Sequence, residues 1–299
     1  MKLVSYGPRQ QEQPGVLTDH DTIVPLRPVL LKLGQPMADM ATVLRILPEM
    51  RSRLESMVKD RESEIAAAGV RLGPPVPQPR QIIAVGANYS SHVEELDSTN
   101  PVPSQPVLFA KSISSLSGPT DDIVRPPETA MMDYECELAV VIGVGGRRIP
   151  RHSAMTHVAG FMIANDVTAR DVVMRDGHLH PLFLQILRGK SFDTFCPTGP
   201  WLVTIDEAPD PAKMRIQLWV NDDLRQDDSP GNMTYDIPSL VESVSAAFTV
   251  HPGDILLTGS PPGPGFAMKP PRYLQDGDVI RLSIESLGTM MTTVRDEVI

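Results

Sequence analysis

Thirty of the 299 residues are proline, while Phe, Trp and Tyr together make up only 5%. Proline inside a helix removes a hydrogen bond and clashes with the preceding turn, at a cost of about 3 kcal/mol. A chain this rich in proline suits many short strands punctuated by turns better than a helical bundle. The densest cluster, Leu72-Gly73-Pro74-Pro75-Val76-Pro77-Gln78-Pro79, fits neither a helix nor a central strand and reads as a linker. It divides a small N-terminal domain, residues 1–75, from a larger domain, residues 80–299. No internal repeat or low-complexity segment stands out.

The two parts differ in pattern. Residues 1–20 read as a short strand and turn. From Ala38 to Ala68 the apolar spacing becomes helical, through Met40, Val43, Leu44, Ile46, Leu54, Met57 and Val58. Pro48 is expected to break this stretch into two helices. Beyond the linker, runs of strand length recur at Gln81–Gly86, Val107–Ala110, Cys136–Gly143, Phe161–Ala164, Gly199–Ile205, Met214–Val220, Asp254–Thr258 and Asp278–Glu285. Asn88–Leu96 offers a polar helical turn or two. Glu242–Val250 reads as a helix, preceded by the start signal Asp236-Ile237-Pro238-Ser239. The fold class is therefore α+β and β-rich.

Charge narrows the partners. Acids outnumber bases by 37 to 27, a net charge of −10, and no basic stripe is present, which argues against nucleic acid. An acidic surface repels small anions, so an anion site needs its own local cation. No signal-peptide pattern and no run near the ~18 apolar residues of a membrane span occur, so a cytoplasmic location away from membranes is expected. The two cysteines, Cys136 and Cys196, are too few for a disulfide scaffold or a thiolate metal site.

The most informative chemistry lies in Asp133-Tyr134-Glu135-Cys136-Glu137-Leu138-Ala139-Val140-Val141-Ile142. The apolar, β-branched end of this run marks a buried strand, on which Glu135 and Glu137 share a face and Cys136 points away. Two adjacent carboxylates at a core entrance cost several kcal/mol each to desolvate, so protonation or a cation must offset them. Taken alone, both could equally be surface residues near a strand end. Asp166, closing the apolar run Gly160–Asn165, changes that balance. Three carboxylates at strand ends form a hard oxygen site suited to Mg²⁺, Mn²⁺ or Ca²⁺, and no clustered Cys/His set competes.

Other residues are less distinctive. His92 and Glu95 share a helical face if Ser90–Leu96 is helical, so Glu95 could orient the imidazole, though such pairs are also common on solvated turns. Gly189-Lys190-Ser191 imitates the end of a phosphate-binding loop, but Leu184 stands where that loop needs glycine. Lys190 is then either a surface lysine or a cation near an anionic intermediate. Thr258–Gly265 is a rigid loop after a strand and either offers N–H groups to an anion or simply turns. His178 and His180 receive no role. Neither a G-x-S-x-G elbow nor a catalytic cysteine signature occurs.

In combination these segments resemble the fumarylacetoacetate hydrolase family. The resemblance rests on Ile82–Glu95 with G-x-N-Y-x-x-H-x-x-E, on E-x-E in Asp133–Ile142, and on Asn165-Asp166-Val167-Thr168-Ala169-Arg170-Asp171. It continues through Gly189-Lys190-Ser191-Phe192-Asp193, Thr258-Gly259-Ser260-Pro261, Leu274–Val279 and Leu287-Gly288-Thr289, in order over roughly residues 80–295. It implies a mixed β-roll catalytic domain beside a small α/β N-terminal domain, usually as a homodimer, acting on a small anionic oxo acid. It assigns Glu135, Glu137 and Asp166 to Mg²⁺ or Mn²⁺, His92 and Glu95 to water activation, and Lys190 to the developing enolate. Lys111, Arg170 and Ser260 become substrate contacts.

The reaction so implied is hydrolysis of a C–C bond in an acylpyruvate-like 2,4-dioxo acid of the fumarylpyruvate or fumarylacetoacetate type. Decarboxylation or keto–enol isomerisation of a 2-oxo acid at the same metal is the alternative, and a catalytically silent ligand-binding homologue is the third reading. Val173 stands where family members often have glutamine, and Ser260 replaces the usual threonine. These departures spare the acids and leave substrate identity open.

Overall fold

The strand Cys136–Ile142, whose seven residues are all buried, lies inside a twelve-stranded sheet. Val158–Asn165 pairs with it on one side and Ile255–Leu257 on the other, both antiparallel. The sheet continues through Cys196–Thr204 to Lys2–Tyr6, Gln13–Leu17, Thr22–Pro25 and Ile65–Ala66, and in the other direction to Ile82–Gly86 and Val107–Lys111. A separate five-stranded sheet orders Asp223–Asp228, Ile216–Val220, Val279–Ile284, Gly288–Asp296 and Ile123–Arg125. These features come from a computed structural model that describes residues 1–60, 63–96 and 102–298.

Alternation along the strand divides two cores. Leu138, Val140 and Ile142 pack with Ile216, Leu218 and Leu282 of the five-stranded sheet and with Leu240, Val241 and Val244 of the helix Ile237–Ala247. Ala139 and Val141 face the opposite side, where Leu26, Leu30, Leu44, Leu47 and Leu54 cover the sheet. Successive strand residues point to opposite faces, so one apolar run feeds both cores. The fold is strand-rich and mixed, as expected. Among the described residues no helix is long and apolar enough to cross a membrane.

The expected break at Pro48 does not occur. A single helix spans Met40–Lys59 with Pro48 inside it. Asp39 caps its start by accepting a hydrogen bond from the Thr42 N–H at 2.7 Å. Leu44 and Leu47 before the proline, and Leu54 and Val58 after it, are all buried in one core, and their burial outweighs the lost backbone bond. Of the helical stretch expected over Ala38–Ala68, residues 61–62 lie outside the described residues, and Ile65–Ala66 forms a strand. The helix expected at Glu242–Val250 begins earlier, at Ile237, with the Asp236 side chain accepting from the Ser239 N–H.

The linker segment is partly recruited into the sheet, since Leu72–Gly73 pairs with Lys2–Tyr6. Lys2–Tyr6 in turn pairs with Cys196–Thr204, and residues from both sides of the linker share one core.

Candidate metal and proton-transfer site

Glu137 is the second residue of the strand Cys136–Ile142, and Asp166 follows Val158–Asn165 directly. The pairing of Cys136 with Asn165 brings these strand ends together, and the Asp166 N–H donates to the Glu135 carbonyl at 2.9 Å. Glu135, Glu137 and Asp166 consequently present carboxylate oxygens within 4.8 Å of one another, all buried. Cys136 packs into the core on the other face. Asn165 helps by accepting the Glu135 N–H on Oδ1 at 3.0 Å.

The three acids are not equally compensated. Lys190 Nζ donates to Glu135 Oε2 at 2.7 Å and to Asp166 Oδ2 at 2.5 Å. Lys111 Nζ donates to Asp166 Oδ1 at 2.6 Å, and Arg170 Nη2 donates to Glu135 Oε1 at 2.7 Å. Burial alone would raise the Glu135 pKa, but the charges of Lys190 and Arg170 hold it well below the ordinary value. Burial works the other way on Lys190, yet Asp166 and Glu135 raise it to about 12, so its ammonium stays charged. Glu137 receives the Gly259 N–H at 2.8 Å. Its burial, together with the charges of Asp166 and Glu135, pushes its pKa well above the ordinary range.

With Asp133, the cluster sets four carboxyl groups against the three cations Lys111, Arg170 and Lys190, whose ion pairs go to Asp133, Glu135 and Asp166 and leave Glu137 uncompensated. An all-oxygen donor set with an uncompensated member suits a hard divalent cation such as Mg²⁺ or Mn²⁺. Such an ion would supply the charge that Glu137 lacks.

His92 stands beside this cluster on the helix Ser90–Leu96. Its Nδ1 lies 3.0 Å from Glu95 Oε2, and its Nε2 lies 3.9 Å from Glu135 Oε1. An ionised carboxylate only accepts, so Nδ1 carries the proton in that bond and Nε2 is the ring nitrogen that faces the acids. The loop after Leu257 braces the arrangement. Its N–H groups go to the protein's own carboxylates: Gly259 to Glu137, Gly263 to Glu95, and Gly265 to Asp133. Gly263 has φ +107°, and a Cβ there would sit 2.0 Å from the Arg225 carbonyl oxygen, so only glycine fits.

The residues expected to contact substrate are placed differently from one another. Lys111 is sealed from solvent with its ammonium on Asp166 and on the Lys190 carbonyl, so it braces an acid. Arg170 donates through Nε to Asp133 at 2.9 Å and through Nη2 to Glu135, with part of its side chain exposed. Ser260 is buried and accepts from Gln226 Nε2 at 2.9 Å.

Sequence reasoning missed three participants. Asp133 accepts the N–H groups of Tyr134, Gly265 and Phe266 as well as Arg170. Its alternation with Glu135 and Glu137 was the available signal. Gln226, on the polar strand Asp223–Asp228, accepts the Cys136 N–H and donates to the Pro261 carbonyl, tying the strand to the loop. Phe266 stacks its ring 4.1 Å from the Arg170 guanidinium carbon.

Comparison with known proteins agrees with this architecture. The chain is 45% identical over 221 residues to oxaloacetate tautomerase FAHD2B, mitochondrial, of Bos taurus, covering 74% of this chain and 68% of that one. It is 35% identical over 302 aligned positions to the 2,4-didehydro-3-deoxy-L-rhamnonate hydrolase of Sphingomonas sp. (strain SKA58), covering 99% and 96%. The crystal structure of maleylpyruvate hydrolase from Sphingobium sp. SYK-6, in complex with manganese (II) ion and pyruvate, superposes with a TM-score of 0.81 at 32% identity, with each chain fully covered. Residues 81–295 match the fumarylacetoacetate (FAA) hydrolase C-terminal family, and the chain belongs to that family of hydrolases and isomerases.

Proposed function

We propose that this chain is a divalent-metal enzyme that hydrolyses a C–C bond in an acylpyruvate-like 2,4-dioxo acid. The observation that carries the reading is the His92–Glu95 pair, with Nε2 of His92 turned toward Glu135 at 3.9 Å. Glu135, Glu137 and Asp166 would hold Mg²⁺ or Mn²⁺. When bound, the ion would act as a Lewis acid for the negative charge that develops on a 2-oxo acid.

The protein's own residues divide the remaining work. His92 Nε2 takes a proton from water, with its ring held by Glu95, which is fixed in turn by the Gly263 N–H. The water oxygen bonds to C4 of the substrate, the C3–C4 bond breaks, and its electron pair passes to the enolate of the pyruvate half. Lys190 supplies fixed positive charge for that enolate. His92 returns the proton to C3, releasing pyruvate and a carboxylic acid. Arg170 and Ser260 remain substrate contacts in this proposal, and the active unit is a homodimer.

A second reading has its own support in the 45% identity to an oxaloacetate tautomerase. In that case His92 moves a proton between C3 and the enol oxygen of a 2-oxo acid, and no C–C bond breaks. One assay separates them. Metal-stripped protein is given acylpyruvates, fumarylpyruvate and enol oxaloacetate, with and without Mg²⁺ or Mn²⁺. Metal-dependent release of pyruvate with a second acid is expected, whereas enol decay or carbon dioxide alone would place the chain among the isomerases or decarboxylases.

A further inference from the structure

Phe266 completes a closed circuit at the edge of the site. Glu135 Oε1 accepts from Arg170 Nη2 at 2.7 Å and lies 3.9 Å from His92 Nε2. Across from it, the Phe266 ring meets the His92 ring edge-on, with centroids 5.9 Å apart and planes at 76°, and stacks on Arg170 at 4.1 Å. His92 is buried whereas Phe266 is half-buried, so the ring that meets His92 keeps part of its surface open to solvent. Its backbone is fixed, since the Phe266 N–H donates to Asp133 Oδ2 at 3.2 Å and the neighbouring Gly265 N–H to Oδ1 at 2.7 Å. A Cβ on Gly265 would fall 1.9 Å from the Arg272 carbonyl oxygen, which pins the turn that aims the ring.

The geometry points to Phe266 as the residue that sets acyl-group preference, by giving the substrate's C4 substituent an apolar wall and favouring uncharged acyl groups. This rests on the hydrolytic reading, in which His92 delivers water to C4, so the substituent on C4 lies beside the ring that touches His92. A phenyl ring offers a second carboxylate no hydrogen-bond donor, and Arg170, the cation nearest the ring, already donates through Nε and Nη2 to Asp133 and Glu135.

Calorimetric binding of 2-oxopentanoate through 2-oxooctanoate, and of 2-oxohexanedioate, to the Mn²⁺-loaded protein tests the wall without requiring turnover. Affinity in the wild type is expected to rise about threefold to fourfold per methylene, the ordinary yield of apolar burial. The diacid should bind at least tenfold more weakly than 2-oxohexanoate. In Phe266→Ala the dependence on chain length should flatten, and in Phe266→Leu most of it should return. Equal slopes in all three proteins, or no slope in the wild type, would overturn the assignment. So would uniform weakening of every probe in both variants, because a ring that merely holds the loop affects all probes alike. Turnover of acetylpyruvate and hexanoylpyruvate by the wild type is scored separately. A Phe266-dependent slope without hydrolysis would remove the hydrolytic reading and leave the wall standing, and hydrolysis with parallel slopes would do the reverse.

Discussion

The first 79 residues and the rest of the chain bury polar groups in opposite ways. Among the described residues before Arg80, the buried polar residues are Ser5 and Thr42, and the nearly covered Glu12 carboxylate is paired with Arg71 at 2.9 Å. Beyond Arg80 the buried set includes His92, Lys111, Asp133, Glu135, Glu137, Asp166 and Lys190, gathered at one end of two adjacent strands. Both regions share a sheet and an apolar core, so the contrast is not one of fold. Burying an unpaired charge costs several kcal/mol, and a region that concentrates charge carries that cost for what the charges do. In the proposed function, one region supports and the other reacts.

The sharpest way to break that contrast is to remove a carboxylate. Asp166→Ala is expected to lower turnover at least about a thousandfold, the several kcal/mol that a metal contributes at a developing charge, together with loss of Mn²⁺ binding in a calorimeter. His92→Ala should cost about a hundredfold to ten-thousandfold in hydrolysis, the span of a general base, while Mn²⁺ affinity stays unchanged. Retained hydrolysis would remove the water-activating role. In the supporting region the expectation reverses. Leu54→Ala, which truncates a fully buried side chain, should lower unfolding free energy by about 2–5 kcal/mol in urea and leave kcat in folded protein intact. Asp133→Asn straddles the two behaviours, since one oxygen must replace a carboxylate that serves three N–H groups and Arg170. A stability loss of about 1–3 kcal/mol with a measurable fall in turnover is expected.

The pH dependence is the most specific effect. The Glu137 pKa is raised in the folded protein, so its charge opposes folding once pH exceeds the unfolded carboxylate value. Metal-stripped wild type should therefore lose stability relative to Glu137→Gln as pH rises above about 4.5, by up to about 1.4 kcal/mol per unit until Glu137 is fully ionised. Below that pH the two proteins should converge. Saturating Mn²⁺ should reverse the ranking, and parallel denaturation midpoints from pH 4 to 8 would refute the cost assigned to Glu137.

What the sequence disclosed follows from the range of each interaction. Glu135 and Glu137 were legible because side-chain alternation is a local rule, and Asp166 because an apolar run ends at Ala164, two residues before it. Pro48 misled for the same reason: the local rule is sound, but contacts of Leu44 and Leu54 with a distant sheet override it. The strand Asp223–Asp228 escaped notice because an edge strand with exposed polar residues carries no apolar alternation, although Gln226 within it is buried. The bonds from Gly259, Gly263 and Gly265 to Glu137, Glu95 and Asp133 span more than a hundred residues, and nothing local encodes such partners.

The most direct test of the central claim is a calorimetric titration of Mn²⁺ into metal-stripped wild type, Glu137→Ala and Asp166→Ala, each checked for folding by circular dichroism. One ion per chain is expected in the wild type and no saturable binding in either folded variant. An unchanged isotherm in the variants, or no stoichiometric binding in the wild type, would contradict the assignment of Glu135, Glu137 and Asp166 as the metal centre.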